Sequence, residues 1–274
     1  MTDVIDANIA VHTALSKHYN TDEPHFRPEN QAKVKKRLAA VAARAGSGRL
    51  LDVGCGTGFI IHLAADIFRK IDGVDITEAM LRQVDVSRGD ITLHRTRAEA
   101  LPFADASFDA ASAYSFLDHL EDYRLVLKEV ARTLKPGGVF YIDLVPNREY
   151  WRALSGLSEE ELGAASDFVR REHRMVTSND KDVEAKYGVD ANIFKKMEPV
   201  KEQGGLDVDR FRKDALQAGY ARVDVHYDWF LGQAKVMHKQ SVADAEVVAA
   251  YLQEALPATR SLFKYVWFEL TKQA

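Results

Sequence analysis

The sequence predicts an α/β protein with a doubly wound, mostly parallel sheet of seven strands, N-terminal helices and a helical cap insertion. Two observations predict this fold class. Apolar runs with strand character alternate with segments of helical periodicity between residues 49 and 145, and the alternation resumes after residue 206. Apolar residues make up 46% of the 274 residues and charged residues 28%, which is the balance of a globular protein with a sizeable core.

The predicted elements follow one another in a regular order. Helical patterns cover 4–18 and 31–45, in front of the first strand. The predicted strands cover 49–54, 70–76, 91–95, 108–116, 138–145, 221–230 and 262–270. The predicted helices between them cover 59–68, 77–84, 123–134 and 207–218. Strands joined by single helices pair in parallel through right-handed crossovers, so we expect helices on both faces of the sheet.

Two insertions interrupt this order. After Pro146 the alternation stops, and we interpret the polar and charged residues 147–205 as a helical cap. A second insert covers 232–259 and contains apolar residues at helical spacing. The whole chain, 1–274, is therefore predicted to be one domain with two embellishments.

Composition and charge exclude several classes of partner. The net charge is −4 and the pI about 6.2, so we expect no nucleic-acid partner and no membrane surface. The basic run Lys33, Lys35, Lys36 and Arg37 is interpreted as the solvated face of a helix. Cys55 is the single cysteine, which excludes an internal disulfide. The first residues carry early acids and no apolar stretch, so we expect no signal peptide and a cytoplasmic location.

A glycine-rich loop is the sharpest motif in the chain. It reads Asp52-Val53-Gly54-Cys55-Gly56-Thr57-Gly58 and lies between the first strand and a helix. Glycines let a backbone turn tightly and approach a ligand closely, and open α/β sheets bind ligands at the carboxyl ends of their strands. Asp75 ends the second strand, where an acid can accept hydrogen bonds from ribose hydroxyls. A nucleotide-type cofactor is therefore expected here.

The glycine spacing distinguishes between cofactors. A dinucleotide fingerprint reads G-x-G-x-x-G, whereas the third glycine here comes one place earlier. This G-x-G-x-G form resembles the first motif of the class I S-adenosylmethionine-dependent methyltransferases. Further segments resemble later motifs of that family in the same order: Val74-Asp75-Ile76 with Met80 and Leu81, Ala98 to Phe103, Ser107-Phe108-Asp109, and Leu134 to Gly138. The resemblance covers about residues 31–145 closely and the strands after 206 loosely.

The resemblance implies a Rossmann-like fold, S-adenosylmethionine as cofactor, S-adenosylhomocysteine as product, and a role for each matching position. Asp52 would reach the methionine end of the cofactor, Asp75 would hold the ribose, and residues 1–30 would form a lid that includes Tyr19. The remaining implied contacts are the loop floor at Gly54, Gly56 and Gly58, the adenine contacts Ile76, Met80 and Ala98, and the methionine contacts Tyr114 and Ser115.

One position departs from the family pattern. Many relatives carry an acid immediately before the Ala-Glu of the third segment, where it accepts a hydrogen bond from the adenine amino group. Here the residue is Arg97, which has no acceptor atom. Three replacements are open: the backbone around Ala98, the side chain of Glu99, or packing alone.

His119 is the candidate general base, because it comes just past the fourth strand and histidine titrates near neutral pH. The alternative is that it only lines the cofactor. Further histidine candidates are His18, His25 and His226. No metal site is predicted: Asp118 adjoins His119, but adjacent residues project differently and the sequence indicates no third ligand.

The acceptor is predicted to be a small organic molecule, methylated most readily at a hydroxyl oxygen. Aromatic residues near the cap and the sixth strand suggest a partly aromatic pocket for it: Tyr150, Trp151, Tyr227, Trp229 and Phe230. Methylation of nitrogen or carbon, and a non-catalytic S-adenosylmethionine-binding protein, remain alternatives. A nucleic-acid methyltransferase that acts on base amines would carry an Asn/Asp-Pro-Pro-aromatic signature, but the fourth strand ends in Ala113-Tyr114-Ser115-Phe116.

Overall fold

A seven-stranded sheet organises the residues described by the computed structural model, 4–177 and 188–274. The strands are β1 Arg49–Val53, β2 Lys70–Asp75, β3 Asp90–Arg95, β4 Phe108–Tyr114, β5 Leu134–Pro146, β6 Tyr220–Phe230 and β7 Phe263–Lys272. Their order is β3-β2-β1-β4-β5-β7-β6, and only β7 is antiparallel to its neighbours. The predicted mostly parallel sheet is confirmed, and the carboxyl ends of β1 to β6 lie at one edge.

Helices cover both faces of the sheet and build the inserts. They are α1 Val4–Leu15, α2 Tyr19–Asp22, α3 Pro28–Ala45, α4 Phe59–Ala64, α5 Glu78–Leu81, α6 Tyr123–Thr133, α7 Arg148–Ser155, α8 Glu159–Ala164, α9 Asp167–Thr177, α10 Ala191–Met197, α11 Pro199–Glu202, α12 Val208–Gln217, α13 Gln233–Lys239 and α14 Val242–Glu254. The predicted helix 4–18 ends at Leu15, and a separate turn of helix starts at Tyr19. Residues 1–3 of the predicted lid and 178–187 of the predicted cap lie outside the described residues.

Four apolar clusters hold the described residues together, and the smallest is formed by Tyr150, Trp151 and Leu154 of the cap. Two pack around the sheet and include the fully buried Phe140 and Leu50. The third, which we name the lid cluster, joins α1 to the cap through Ala7, Val11, Leu15, Val189, Phe194 and Met197. The N-terminal segment and the cap therefore meet through a small core of their own. Among the described residues, no helix has the length and apolar character needed to cross a membrane.

The cap leaves and rejoins the sheet at one point. Asn147 and Leu206 form an isolated parallel bridge, in which the Leu206 amide donates to the Pro146 carbonyl (2.8 Å). The fully buried Asn147 amide group donates to the carbonyls of Arg260 and Phe263, both at 2.8 Å. These bonds fix the base of the cap.

A polar row on α3 connects this helix to the carboxyl edge of the sheet. Asn30, Lys33 and Arg37 are spaced three and four apart and so lie on one helix face. Arg37 donates to Asp143 on β5 (2.7 Å) and to Asp228 on β6 (2.9 Å), and Lys33 donates to Asp228 (2.6 Å). The interpretation of the basic run as solvated is therefore wrong for Arg37, whose side chain is only 15% exposed, because two aspartates at strand ends recruit it. Lys35 and Lys36 are exposed, as predicted.

Candidate functional site

A cleft of about 1090 Å³, its open mouth included, lies at the carboxyl edge of the sheet. The cleft brings together most of the residues expected from the sequence: Tyr19, Asp52, Gly54, Gly56, Asp75, Ile76, Met80, Ala98, Tyr114, Ser115 and His119. Gly58 does not line it; this glycine lies at the start of α4 with a left-handed φ of 89°. His18 is exposed, and neither His18 nor His226 lines the cleft.

The glycine loop forms the floor of the cleft. Gly54 has a φ of 68°, and a Cβ atom built on it would lie 2.1 Å from Cδ2 of Phe116. The Phe116 ring already occupies the space beside the loop, so only glycine, which has no side chain, fits at this position. Gly58 serves the loop differently, because its Cβ would lie 2.9 Å from Val84.

Asp75 is oriented by the backbone around it. One carboxylate oxygen accepts a hydrogen bond from the Gly56 amide (2.9 Å), and the other accepts from the Thr77 amide (2.8 Å). Each oxygen keeps a further lone pair for a ligand. The carboxylate is therefore held in place at the end of β2, as a ribose-binding acid requires.

Asp52 carries an unsatisfied buried oxygen. Its side chain is 1% exposed; one oxygen accepts a hydrogen bond from the Ser112 hydroxyl (2.8 Å), and Oδ2 has no partner among the described residues. Burial and, to a smaller extent, the charge of Asp75 raise the pKa of Asp52 to about 7, against the opposing effect of the hydrogen bond from Ser112. A positively charged ligand group in the cleft would supply the missing partner.

The structure shows what surrounds Arg97. The Arg97 guanidinium donates to both carboxylate oxygens of Glu99, at 3.4 and 3.2 Å. Each of these oxygens keeps a further lone pair, and Glu99 lines the cleft together with the buried Ala98. The Ala98 backbone, the Glu99 side chain and packing alone therefore all stay open as replacements for the family's acid.

The N-terminal segment forms the roof of the cleft. Its lining residues are Val4, Ile5, Asn8, His12, Tyr19 and His25. Burial lowers the pKa of His12 to about 3 and that of His25 to about 4, so both rings are neutral at neutral pH. The His25 ring packs against Tyr19, Phe59 and Tyr114, with centroid distances of 5.7, 4.9 and 5.4 Å. Sequence reasoning did not identify Asn8 or His12.

His119 is held by the cap and by α1. Its Nδ1 lies 3.2 Å from the carbonyl oxygen of Met197. Because a carbonyl only accepts, this bond places the hydrogen on Nδ1 and leaves a lone pair on Nε2. Asn8 donates to the same Met197 carbonyl (3.2 Å) and to the carbonyl of His119 (3.4 Å). A neutral His119 in this tautomer is suited to accept a proton at Nε2.

The residue before His119 belongs to a charged cluster that the cap completes. The sequence indicated no third group beside Asp118 and His119, but Glu198 brings a carboxylate within 4.8 Å of both. The Lys201 ammonium lies 3.1 Å from Asp118 and 2.5 Å from Glu198. The positive charge between these two carboxylates is thus the protein's own lysine.

The aromatic acceptor pocket expected near the cap is not formed by the residues predicted. Tyr150, Trp151, Tyr227 and Phe230 are at most 7% exposed and pack in the apolar clusters. Trp229 is less buried but does not line the cleft either. That prediction is wrong because a strand-end aromatic that packs in the core has the same sequence pattern as one that faces a cavity.

Comparisons with known proteins agree with this geometry. Residues 51–142 match the family model described as a methyltransferase domain. The chain is 33% identical over 108 residues to a probable S-adenosylmethionine-dependent methyltransferase of Mycolicibacterium smegmatis, an alignment that covers 39% of this chain and 42% of that protein. It is 32% identical over 126 residues to O-methyltransferase resE of Aspergillus sclerotiorum, covering 42% and 48%. Other matching relatives are named as C-methyltransferases.

The fold similarity extends further along the chain than the sequence similarity. The chain spans less than half the length of the two curated relatives just described. A solved structure, a possible histamine N-methyltransferase from Thermotoga maritima, superposes with a TM-score of 0.53 at 19% identity. That superposition covers 96% of this chain and 100% of the other. Likeness at this identity supports the fold and not the substrate.

Proposed function

We propose that this chain, whose residues 51–142 match a methyltransferase domain, transfers the methyl group of S-adenosylmethionine to a hydroxyl oxygen of a small molecule. One observation carries the proposal. A single cleft joins the glycine loop and Asp75 to His119, whose bond to the cap leaves Nε2 as a proton acceptor. Relatives named as O-methyltransferases support oxygen as the acceptor atom.

The residues of the cleft fit the cofactor. Asp75 is already oriented by two backbone amides, and Oδ2 of Asp52 is buried without a partner. We assign Asp75 to the ribose hydroxyls and Asp52 to the cationic methionine end. When bound, the cofactor supplies an electrophilic methyl group on a positively charged sulfur.

In the proposed mechanism the protein mainly aligns, deprotonates and excludes water. The roof residues, with Tyr19 among them, act as a lid over the reacting groups. His119 Nε2 takes the hydroxyl proton while the acceptor oxygen gains the methyl group, so a methyl ether and S-adenosylhomocysteine leave. The proton departs from His119 to solvent after product release.

Two alternatives make different predictions. Methylation of an amine or of carbon would depend on His119 to a different degree. For an amine the base only has to keep the nitrogen unprotonated, whereas for carbon it has to remove a carbon-bound proton. A non-catalytic protein would bind the cofactor and form no product. The cytoplasmic location remains a prediction from the sequence.

The first test is calorimetric titration with S-adenosylmethionine, S-adenosylhomocysteine and NADH, followed by a screen of hydroxyl, amine and carbon acceptors for S-adenosylhomocysteine formation. We expect the first two ligands to bind and NADH not to bind. Binding without product from any acceptor would favour the non-catalytic alternative. Binding of NADH alone would contradict the assignment drawn from the glycine spacing.

The affinity for S-adenosylmethionine is expected to fall as the pH drops below about 7. Burial raises the pKa of Asp52 to about 7 in the free protein. Above that value Asp52 is a carboxylate that attracts the cationic cofactor, and below it the attraction is lost by up to about tenfold per pH unit. Titrations between pH about 5.5 and about 8.5 would measure this. In Asp52→Asn the affinity should depend less on pH. An equal pH dependence in the wild type and in this variant would contradict the assignment of Asp52 to the cationic end of the cofactor.

Gly54→Ala is expected to abolish measurable cofactor binding. The new Cβ would overlap the Phe116 ring, and a φ of 68° is strained for alanine. Calorimetry would measure the loss. The matched control is Gly163→Ala on α8, where a Cβ meets nothing within 4 Å. Similar affinities in the two variants would show that the loop tolerates a side chain.

A further inference from the structure

Asp118 is a buried carboxylate that is only half satisfied. Its side chain is 2% exposed. One oxygen pairs with the Lys201 ammonium at 3.1 Å, whereas Oδ1 has no hydrogen-bond partner among the described residues. An unsatisfied buried oxygen calls for an explanation, because leaving it without a donor is costly.

The ring of His119 lies close to that oxygen. Nε2 of His119 lies 3.9 Å from Oδ1 of Asp118. In the neutral tautomer this nitrogen has no hydrogen to give, because Nδ1 carries the hydrogen toward the Met197 carbonyl. Once a proton reaches Nε2, the ring has a donor for which Oδ1 is the nearby acceptor.

We propose that Asp118 is a positioning residue that stabilises protonated His119, and that Lys201 of the cap holds the Asp118 carboxylate in place. This inference rests on the proposed function, in which His119 takes the acceptor's proton. The imidazolium would then direct one N–H to the Met197 carbonyl and the other to Asp118, so neither is left without an acceptor.

The charges around His119 support this division of roles. The ionisable groups that face it are Asp118 beside it, His12 from α1, Asp75 from β2, and Lys201 and Glu198 from the cap. Against burial, a protonated His119 and Lys201 hold the pKa of Asp118 below its usual value. Burial lowers the pKa of His12 to about 3, which keeps that ring neutral. His12 therefore does not compete as a proton acceptor in this group.

Lys201 also explains why the cluster does not need a metal ion. Asp118, His119 and Glu198 have the residue types of a metal site, but the ammonium already bridges both carboxylates. The pKa of Lys201 is raised by Glu198 and Asp118 against burial, which keeps it charged. Through this lysine the cap holds the orientation of the proton-accepting pair.

The test is an NMR pH titration of ¹⁵N-histidine-labelled protein saturated with S-adenosylhomocysteine. Asp118→Asn should lower the midpoint of the His119 titration by about one pH unit or more, because an adjacent negative charge is lost. Lys201→Met should raise the midpoint, because a positive charge is lost. Neutral His119 should carry its hydrogen on Nδ1 in the wild type.

The matched control is Asp122→Asn, the same change four residues along, where the side chain is 33% exposed and asparagine still caps α6. In this variant the midpoint of the His119 titration should move by less than about 0.3 pH unit, because the charge of a partly exposed side chain is screened by solvent. Equal shifts in Asp118→Asn and Asp122→Asn, or a hydrogen on Nε2 of the neutral ring, would overturn the proposal. If Asp118→Asn does not fold, the opposite shift in Lys201→Met carries the test.

Turnover separates this inference from the proposed function. With a hydroxyl acceptor found in the screen, Asp118→Asn should lower kcat roughly tenfold or more with little change in KM. In a protein that already carries His119→Ala, adding Asp118→Asn should not lower kcat further. A full additional loss of kcat in this double variant would overturn the pairing. The NMR titration needs no acceptor, so it tests the pairing of Asp118 with His119 even if the screen finds no acceptor.

Discussion

Asp75→Ala is expected to weaken S-adenosylmethionine binding by about a hundredfold or more. The change removes the carboxylate that we assign to the ribose, and with it two charge-assisted hydrogen bonds that would each contribute about 1.5–3 kcal/mol. It also releases the Gly56 and Thr77 amides that the carboxylate now accepts from, at 2.9 and 2.8 Å, so the glycine loop loses a support. Calorimetric titration would measure the change in Kd.

The control for this variant is Glu78→Ala, which removes an exposed acid three residues further on. Its affinity should match that of the wild type. The affinity of Asp75→Asn should lie between those of the wild type and Asp75→Ala, because the uncharged amide oxygen of asparagine still accepts one hydrogen bond. Unchanged affinity in Asp75→Ala would contradict the assignment of this acid to the ribose.

Arg37→Met is expected to lower the free energy of unfolding by about 3–5 kcal/mol, the cost of removing one partner from a buried ion pair. Its guanidinium bonds Asp143 and Asp228, whose side chains are 5% and 18% exposed. It also lies 4.1 Å from the centre of the Trp267 ring. After the change Asp228 keeps Lys33, whereas the Asp143 carboxylate keeps, within 4–177 and 188–274, the Tyr141 hydroxyl and the Leu144 amide. Urea denaturation followed by circular dichroism would measure the loss.

Lys35→Met provides the comparison on the same helix. Its partner is Asp66, and the two side chains are 47% and 55% exposed. Exposed pairs are screened by solvent and contribute little, so the free energy of unfolding of this variant should be close to that of the wild type. If Arg37→Met and Lys35→Met lost similar amounts of unfolding free energy, the buried polar row on α3 would stabilise the fold no more than an exposed ion pair does.

The sheet and the cofactor side of the cleft could be predicted because their signals are local in sequence. Asp75 and the glycine loop come directly at strand ends, and parallel strands bring their carboxyl ends to one edge. The predicted and observed strands agree within a few residues. The largest difference is β5, which begins at Leu134 because this residue pairs with Phe108 before the regular register starts.

The roof and the charged cluster could not be predicted, because they depend on contacts between distant segments. The Asn8 amide reaches the Met197 carbonyl across 189 residues, and Asp118 meets Lys201 only when the cap packs on α1. No spacing rule in the sequence indicates such a contact. The same limit explains Arg37, whose side chain faces two aspartates whereas Lys35 and Lys36 beside it are exposed.

The bridge between Asn147 and Leu206 has a consequence for how the cap could change over evolution. Because the cap starts and ends at adjacent points, its length and sequence can vary with a small entropic cost and without altering the strands beneath it. A replacement segment is nevertheless constrained at two places. It must offer a carbonyl to Nδ1 of His119 and a cation to Asp118, as Met197 and Lys201 do. The cap is thus exchangeable as a unit only among segments that preserve these two contacts.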